Sequence, residues 1–379
     1  MGRRGGLALF VAVMALLAAA PVTAWPRLQR PVRRRQPLVP CLFIFGDSLV
    51  DNGNNNGIPT LARANYVPYG ADFPQGVTGR FTNGRTYVDV LGQLLGFRGY
   101  IPPAATTSGR AVLQGVNYAS GGAGIRDETG NNLGGHTPFR LQVARFGETA
   151  AELRRGVFGG NAQALNQQLS KCIFYSGVGS NDYLNNYFMP ISYTTATAYS
   201  PRAYAAALLR DYSSYLTELH RLGARKIVVT GVGPIGCIPY ELARYRRSRG
   251  GSRCNETINA AVQEFNSGLR QLVGRFNRGS LPGAKFVYLD SYRSTTELTS
   301  KARSYGFTEI NRGCCGVGRN NGQITCLPLQ PPCRNHRGYL FWDAFHPTEA
   351  ANLILANISF ASNSPSFTYP YNLEHLAKL

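Results

Sequence analysis

The sequence has 379 residues, of which 44% are apolar, and its formal net charge is +20 at pH 7. This length and apolar content suffice for one substantial hydrophobic core and argue against intrinsic disorder. No basic run after residue 40 exceeds two residues and no nucleic-acid-binding motif accompanies the charge, so we expect no nucleic-acid partner.

The first 24 residues have the features of a secretory signal peptide. Arg3 and Arg4 precede an apolar run from Leu7 to Ala20, and the small residues Val22 to Ala24 follow. A membrane anchor is the alternative, but it needs about 20 apolar residues, and this run breaks at Pro21. We therefore expect a secreted, extracellular protein of the cell wall or apoplast without a transmembrane segment. The vacuole and the endoplasmic reticulum are alternative locations.

Residues 25–40 are expected to form a basic, proline-rich leader or linker. They contain five arginines and no acidic residue, a composition that cannot form a core. Without residues 1–40 the chain keeps 33 basic and 20 acidic residues, a formal charge of +13. We interpret this charge as a solvated basic surface in preference to attraction to anionic polysaccharide or lipid surfaces. Residues 41–379 are predicted to form a single catalytic domain.

The chain has eight cysteines, which in a secreted protein predict disulfides of undetermined connectivity. Four of them lie in one Gly/Pro-rich stretch: Cys314, Cys315, Cys326 and Cys333. A zinc site is the alternative, but it favours paired ligands such as C-x-x-C, and this spacing is absent. Asn255 and Asn357 begin N-x-S/T sequons and are candidate glycosylation sites.

Apolar runs alternate with amphipathic stretches along the chain. The runs predicted as buried strands are Cys41–Phe45, Val116–Ala119, Cys172–Tyr175, Lys226–Thr230 and Lys285–Leu289. The stretches predicted as helices are Tyr87–Leu95, Phe139–Arg154, Pro201–Leu222 and Glu256–Phe276. Such alternation predicts a parallel sheet with helices on both faces. The active site of such a sheet lies beyond the carboxyl ends of its strands.

Candidate catalytic residues occur near both ends of the chain. Ser48 follows the first predicted strand, although Gly, Asp and Ser are also ordinary turn residues. Asp343 and His346 are three residues apart in FWDAFHP, just before a predicted helix. A serine hydroxyl needs a base to become a nucleophile, and the base needs an acid that fixes its tautomer. These three residues therefore form a candidate Ser-His-Asp triad.

Two loops that follow predicted strands offer hydrogen-bond donors for an oxyanion. The stretch Gly115–Gly124 has exposed backbone amides, and the turn Gly179–Asp182 contains the side-chain amide of Asn181. Each loop alone is a weak signal, because glycine-rich and Asn-Asp turns are common. Their order after the second and third predicted strands strengthens the interpretation.

The sequence resembles the GDSL-type esterase/lipase family of plants, within the SGNH hydrolase superfamily. The resemblance covers nearly the whole chain after residue 40. The motifs that carry it are FGDSLVDNGNNN, YVPYGADFP, TGRFTNGRTYVDVL, LQGVNYASGGAGI, GVGSNDYLNNYF, GARKIVVTGVGPIGC, the CCG loop and FWDAFHPTEAAN. The resemblance implies an α/β fold of three layers, a flavodoxin-like α/β/α sandwich around a mostly parallel five-stranded sheet.

The resemblance also implies a role for each site residue. Ser48 would be the nucleophile and donate its backbone amide to the oxyanion, His346 would be the base and Asp343 its orienter. Gly121 and Asn181 would be the other two oxyanion donors. In this glycine-rich run, Gly122 is the alternative to Gly121. The family hydrolyses acyl esters, either lipids or acylated wall polymers, and no metal or other cofactor is expected.

Two other functions are compatible with the same sequence. An acyltransferase would use the same acyl-enzyme and pass the acyl group to another alcohol instead of water. A non-catalytic wall or lipid-binding protein could keep the fold without the chemistry. The complete set of Ser, Gly, Asn, Asp and His residues argues against the second alternative.

Overall fold

The computed structural model describes residues 36–244 and 254–379. The predicted signal peptide and most of the predicted leader lie outside the described residues. The strands are β1 Leu42–Gly46, β2 Ile173–Gly177, β3 Lys226–Thr230, β4 Lys285–Leu289, β5 Glu309–Gly313, β6 Tyr339–Phe341 and β7 Thr368–Tyr369. The helices are α1 Tyr87–Leu94, α2 Phe139–Gly156, α3 Ala162–Leu169, α4 Ser180–Asp182, α5 Thr195–Ala198, α6 Pro201–Arg221, α7 Pro239–Arg244, α8 Glu256–Arg275, α9 Ser291–Ser300, α10 Glu349–Ala361 and α11 Leu373–Lys378.

Five strands form the main sheet in the order β1-β2-β3-β4-β7. The first four strands are parallel, and β7 pairs with β4 in the antiparallel direction. Their register aligns the last residues of the four parallel strands, Gly46, Gly177, Thr230 and Leu289. The loops that follow these residues therefore meet at one edge of the sheet. A second, two-stranded sheet pairs β5 with β6.

Helices cover both faces of the main sheet, which makes the three-layer α/β/α sandwich that the sequence predicts. Strand side chains of one parity, such as Phe43 and Phe174, pack with apolar side chains of α2, α3, α6 and α8. Those of the other parity, such as Leu42 and Tyr175, pack with α1, α10 and α11. Both faces of the strands are apolar because both are buried. Within the described ranges, no helix combines the length and apolarity needed to cross a membrane.

The predicted strand Val116–Ala119 is wrong. This segment runs beside β1, where Ile44 N–H donates to Val116 O at 2.9 Å and Tyr118 N–H donates to Ile44 O at 2.7 Å. It forms only an isolated bridge at Asn117, because Gly46 N–H, which would continue the ladder by donating to Tyr118 O, donates to Gln142 Oε1 instead. The fifth strand is instead β7, only two residues long.

All eight cysteines form disulfides, as predicted, and their connectivity is now defined. The pairs are Cys41–Cys172, Cys237–Cys254, Cys314–Cys333 and Cys315–Cys326. The first pair joins the residues that immediately precede β1 and β2. The last two pairs cross-link the long loop between β5 and β6, which has little regular structure of its own.

Candidate active site

Ser48 lies in a tight turn that begins where β1 ends. The side chain of Gln142 on α2 holds the end of the strand, because it accepts from Gly46 N–H at 2.9 Å and donates to Gly46 O at 2.8 Å. Asp47 closes the turn: its carboxylate accepts from Leu49 N–H at 3.0 Å, and its carbonyl accepts from the amides of residues 50 and 51. The backbone N–H of Ser48 has no acceptor among residues 36–244 and 254–379. It is therefore available to a ligand.

His346 and Asp343 lie in the loop between β6 and α10 and face Ser48. His346 Nε2 is 2.8 Å from Ser48 Oγ, and His346 Nδ1 is 2.8 Å from each Asp343 carboxylate oxygen. The backbone N–H of His346 also donates to Asp343 Oδ1 at 2.8 Å. Thr348 caps α10 by accepting from the Ala351 N–H, so the helix begins directly after this loop. The structure thus brings the three predicted triad residues into one hydrogen-bonded chain.

Asp343 is completely buried, and Tyr69 is an additional partner for it. The Tyr69 hydroxyl donates to Asp343 Oδ2 at 2.6 Å, and Phe345 N–H donates to Asp343 Oδ1 at 2.8 Å. Burial by itself raises the pKa of Asp343. The charge of His346 and the hydrogen bonds from His346, Tyr69 and Phe345 lower the pKa by more than burial raises it, so the net shift is downward. Phe81 packs against the His346 ring at a centroid distance of 5.0 Å. Asp343 is therefore stabilised as a carboxylate beside the imidazole of His346.

The glycine-rich loop is fixed beside Ser48 by Asp51. Asp51 Oδ2 accepts from Gly121 N–H at 2.9 Å, and Oδ1 accepts from the backbone amides of Gly53 and Asn54, both at 2.8 Å. The only backbone proton of Gly121 is thus occupied. Gly122, with a φ of 84°, lines the cavity at Ser48, and its N–H has no acceptor within the part of the chain that the structure describes.

Asn181 lies at the start of α4, after β2. Its side-chain amide donates to Ala123 O at 3.0 Å, and its carbonyl accepts from Asn185 at 2.7 Å. The second amide proton has no acceptor among the residues that the structure describes. The neighbouring Asp182 is completely buried and accepts from Ile125 N–H at 2.8 Å, as well as from Arg126 and Thr129. Asp182 therefore ties the Asn181 turn to the glycine-rich loop.

The asparagines after Ser48 complete this framework. Asn54 donates to Asn117 O at 2.8 Å and to Ala119 O at 2.7 Å, while Asn55 donates to Gly121 O at 2.9 Å. Asp51, Asn54 and Asn55 of the DNGNNN motif thus bind the backbone of the glycine-rich loop, while Asn52 and Asn56 bind other backbone carbonyls. The loop is irregular and lacks the backbone hydrogen bonds that neighbouring strands form with each other. These side chains supply its hydrogen bonds instead.

A cavity of about 310 Å³ opens at these groups. Its lining includes Ser48, His346, Gly122 and Asn181. The rest of the lining is mainly apolar and includes Leu61, Phe81, Leu184, Ile235, Ile238 and Phe345. The residues that carry the serine hydroxyl and the unpaired N–H groups thus line one cavity.

Three buried carboxyl groups surround the site without joining the triad. Burial raises the pKa of Asp47 to about 7, and burial raises the pKa values of Asp51 and Asp182 to about 6 each. Backbone hydrogen bonds oppose burial in all three cases. These acids hold loops in place, which explains why they are buried close to one another.

Sequence reasoning placed Tyr69 near the motif loops but did not predict it as a partner of Asp343, and it did not identify Asp51 or Asp182 as residues that fix the loops of the site. Of these three residues, only Asp51 could have been found from the sequence, because it follows Ser48 closely in the DNGNNN motif. Neither candidate glycosylation residue lines the cavity at Ser48: Asn357 is exposed on α10, and Asn255 is half-buried just before α8.

Comparison with known proteins agrees with this arrangement. The family model of the GDSL-like lipase/acylhydrolases matches residues 42–358. GDSL esterase/lipase At1g33811 of Arabidopsis thaliana is 60% identical over 347 residues, which cover 91% of this chain and 93% of the relative. GDSL esterase/lipase At5g45670 of the same plant is 52% identical over 348 residues, covering 92% and 95% of the two chains. The chain therefore belongs to the GDSL-like lipase/acylhydrolase family and is a carboxylic ester hydrolase.

Proposed function

We propose that the enzyme hydrolyses its ester through a two-step acyl transfer at Ser48. His346 Nε2 takes the proton of Ser48 as Oγ attacks the ester carbonyl, and the proton then passes to the departing alcohol. Water enters, His346 takes its proton, and the attack releases the acid and restores Ser48. Asp343 remains ionised and stabilises the imidazolium in both steps. The observation that carries this proposal is the 2.8 Å separation of His346 Nε2 and Ser48 Oγ.

Three donors are proposed to hold the oxyanion: the backbone N–H groups of Ser48 and Gly122, and the side-chain amide of Asn181. The choice of Gly122 over Gly121 rests on the Asp51 hydrogen bond, which occupies the Gly121 N–H. Fixed donors stabilise the transition state without reorganising during the reaction. Since Asp51 and Asp182 fix the loops that carry two of these donors, the hole is formed before substrate binds.

We also propose that the enzyme is secreted, with residues 1–24 as its signal peptide and residues 41–379 as one catalytic domain. Four disulfides support an oxidising compartment, because such bonds do not persist in the cytosol of most cells. Expression of the full chain with a reporter epitope at its C-terminus tests this. We expect a mature protein in the medium that has lost its first residues, and retention in the cytosol would contradict the proposal.

The triad is tested with Ser48→Ala and His346→Ala, each measured with short p-nitrophenyl esters. Both variants should keep the parental melting temperature and lose at least about a thousandfold in kcat. Ser300→Ala is the matched control, because this exposed serine at the end of α9 is remote from the triad. A fluorophosphonate should label the parent and the control but not Ser48→Ala. Labelling of Ser48→Ala, or parental turnover by it, would contradict the proposed nucleophile.

The acceptor is tested separately. With a competing alcohol in the assay, a hydrolase should release mainly free acid, whereas an acyltransferase would form a new ester. Free acid as the main product at submolar alcohol concentrations is the expected result.

A further inference from the structure

Three segments of the chain meet where the cavity at Ser48 opens to solvent. We call them the rim segments: residues 57–67, 185–193 and 317–337. Leu61 of the first and Ile324 of the third line the cavity and are exposed, and Met189 of the second lines it as well. The first and third segments are joined directly, because the Tyr66 hydroxyl donates to Cys326 O at 2.7 Å. A partner that binds to the rim segments therefore lies at the entrance of the cavity.

Exposed apolar side chains are concentrated in the rim segments. Among the described residues, eleven large apolar side chains are exposed, and six of them belong to these segments: Leu61, Val67, Ile191, Ile324, Leu327 and Leu329. Ile191 is 98% exposed, and Leu61 and Leu329 are each 81% exposed. Single exposed apolar residues are common on protein surfaces, but a group of them around a ligand cavity indicates a surface that binds an apolar partner.

The backbone at Leu329 shows that packing does not explain its side chain. Its φ of 64° lies in the left-handed region, which glycine adopts without strain and leucine does not. The turn is nevertheless well fixed. Leu329 N–H donates to Val67 O at 2.9 Å, and the Gln330 side chain accepts from Leu327 N–H at 3.0 Å and donates to Gly316 O at 2.7 Å. A strained leucine that gains little from packing is suited to contact with a partner outside the chain.

The rim segments are also basic. They contain four arginines and no Asp or Glu, although the whole chain has 20 acidic residues. The four are exposed, and none forms a salt bridge with another described residue: Arg63, Arg319, Arg334 and Arg337. Asp72 approaches the third segment from outside, and its carboxylate is 2.7 Å from His336 Nδ1. The positive charge of this surface therefore favours a negatively charged partner.

A surface that is both apolar and basic matches the surface of an anionic lipid layer. Leucine side chains can be buried among the acyl chains of such a layer while arginines bind its headgroups. An anionic polysaccharide offers charge without an apolar layer, so it leaves the exposed leucines without a partner. A folded protein, or a second copy of this chain, would close the entrance of the cavity, whereas a lipid layer can deliver an ester into it.

We propose that the rim segments bind the surface of an anionic lipid layer, with Leu327 and Leu329 inserted among its acyl chains, and that the cavity at Ser48 takes its ester from that layer. The inference rests on the proposed function, since it takes Ser48 as the point of attack. The turn at Leu329 is formed before binding, which lowers the entropic cost of association. The enzyme is thus adapted to esters that a lipid surface presents.

The test measures the binding of the Ser48→Ala enzyme, which leaves lipid esters intact, to vesicles that are then sedimented. One set of vesicles contains phosphatidylcholine only, and the other contains equal parts of phosphatidylcholine and phosphatidylglycerol. We expect the affinity for the mixed vesicles to exceed that for the neutral ones by about tenfold or more and to fall with added salt. Adding Leu327→Ser/Leu329→Ser should lower the affinity about tenfold or more, because two leucines no longer enter the lipid.

Leu38→Ser/Leu379→Ser is the matched control for the leucines. These side chains are 43% and 55% exposed. They lie at the opposite edge of the sheet, because Leu38 precedes β1 and Lys226, the first residue of β3, donates to Ala377 O near Leu379. Vesicle binding by this control should equal that of the Ser48→Ala enzyme.

The charge is tested in the same way. Arg334→Gln/Arg337→Gln should remove most of the preference for the mixed vesicles. Arg154→Gln/Arg155→Gln, which changes two exposed arginines at the end of α2, should leave that preference intact. An equal loss of preference in both double variants would contradict a role for the rim arginines and would overturn this part of the proposal.

Three results would overturn the proposal as a whole: no binding to either kind of vesicle, undiminished binding by the leucine variant, or an equal loss of binding in its control. A dimer in sedimentation velocity that dissociates on Leu327→Ser/Leu329→Ser would overturn it too, because it would assign the surface to a second copy of the chain. If the double variant melts early, Leu329→Gly takes its place, because glycine adopts the observed φ without strain.

Turnover of p-nitrophenyl acetate, a soluble ester, tests the proposed function separately. With Ser48 restored, the leucine variant should turn it over at the parental rate, because neither leucine lines the cavity. A fall in this turnover would show that the substitutions disturb the active site and would overturn the assignment of the rim segments. A parent without this turnover would contradict the proposed function itself, whatever its vesicle binding.

Discussion

Replacement of Tyr69 by phenylalanine should impair turnover although Tyr69 does not act on the substrate. The change removes the 2.6 Å hydrogen bond to Asp343 Oδ2, and both residues are buried. Hydrogen bonds to charged groups contribute about 1.5–3 kcal/mol, which would correspond to about 10- to 150-fold in rate if all of it were lost in the transition state. Because Asp343 keeps three other donors, including His346 Nδ1, we expect kcat/KM to fall about tenfold.

The same replacement should change the pH dependence. The Tyr69 hydrogen bond is one of the interactions that lower the pKa of Asp343, so its loss raises that pKa. A carboxylate that has lost this donor stabilises the imidazolium of His346 more strongly, so the acid limb of kcat/KM against pH, measured with p-nitrophenyl butyrate, should move to higher pH. Tyr66→Phe is the control, because its ring packs against Tyr69 but its hydroxyl donates to Cys326 O at 2.7 Å. An unchanged acid limb in Tyr69→Phe, or an equal shift in Tyr66→Phe, would refute the reasoning.

Three further changes test other parts of the structure. Asn181→Ala should lower kcat about a hundredfold with little change in KM or melting temperature, whereas early melting with parental turnover would make Asn181 a turn residue only. Burial raises the pKa of Asp47 from 3.8 to about 7, so the folded state retains a proton that the unfolded state releases, and stability falls as pH rises through this window. Between pH 4 and pH 7, the free energy of unfolding of Asp47→Asn should fall by on the order of 4 kcal/mol less than that of the parent. An equal fall with pH in the two proteins would contradict this. Gly115→Ala should lower stability by about 3 kcal/mol in urea, because its Cβ would meet Leu42 O at 1.8 Å and its φ is 115°; Gly156→Ala, with open space at its Cβ, should not.

The sequence predicts the regular part of this fold well. Lys226–Thr230 and Lys285–Leu289 are strands with the predicted bounds, and the four long predicted helices are present within two residues at each end. Continuous apolar runs and clear caps define these elements locally. Val116–Ala119 has the same apolar pattern, yet it is not a strand, because Gly46 N–H donates to the Gln142 side chain and the ladder beside β1 stops at one bridge. β7 has only two residues and no periodicity to detect.

The sequence likewise predicts some residues of the candidate site and not others. Ser48 is found because it closely follows a strand that the sequence predicts, and His346 because it closely precedes a predicted helix. Asp343 is found from its spacing of three residues from His346. Tyr69 could not be paired with Asp343, since the two are 274 residues apart and a tyrosine in a loop has no distinguishing pattern. The choice between Gly121 and Gly122 depends on which backbone N–H Asp51 binds. That choice is made by three-dimensional packing and leaves no trace in composition or spacing.

The hydrogen bond between His346 and Ser48 joins residues 298 positions apart, near opposite ends of the chain. Ribosomes add about 5–20 residues per second, so about 15–60 s separate the synthesis of the two residues. During that interval the nascent chain carries the serine without its base. In the proposed mechanism, the esterase therefore cannot act on lipids or other esters of the cell that makes it until translation is almost complete. By the same mechanism, a transcript truncated before the last motif would yield an inert protein, whatever part of the sheet had folded.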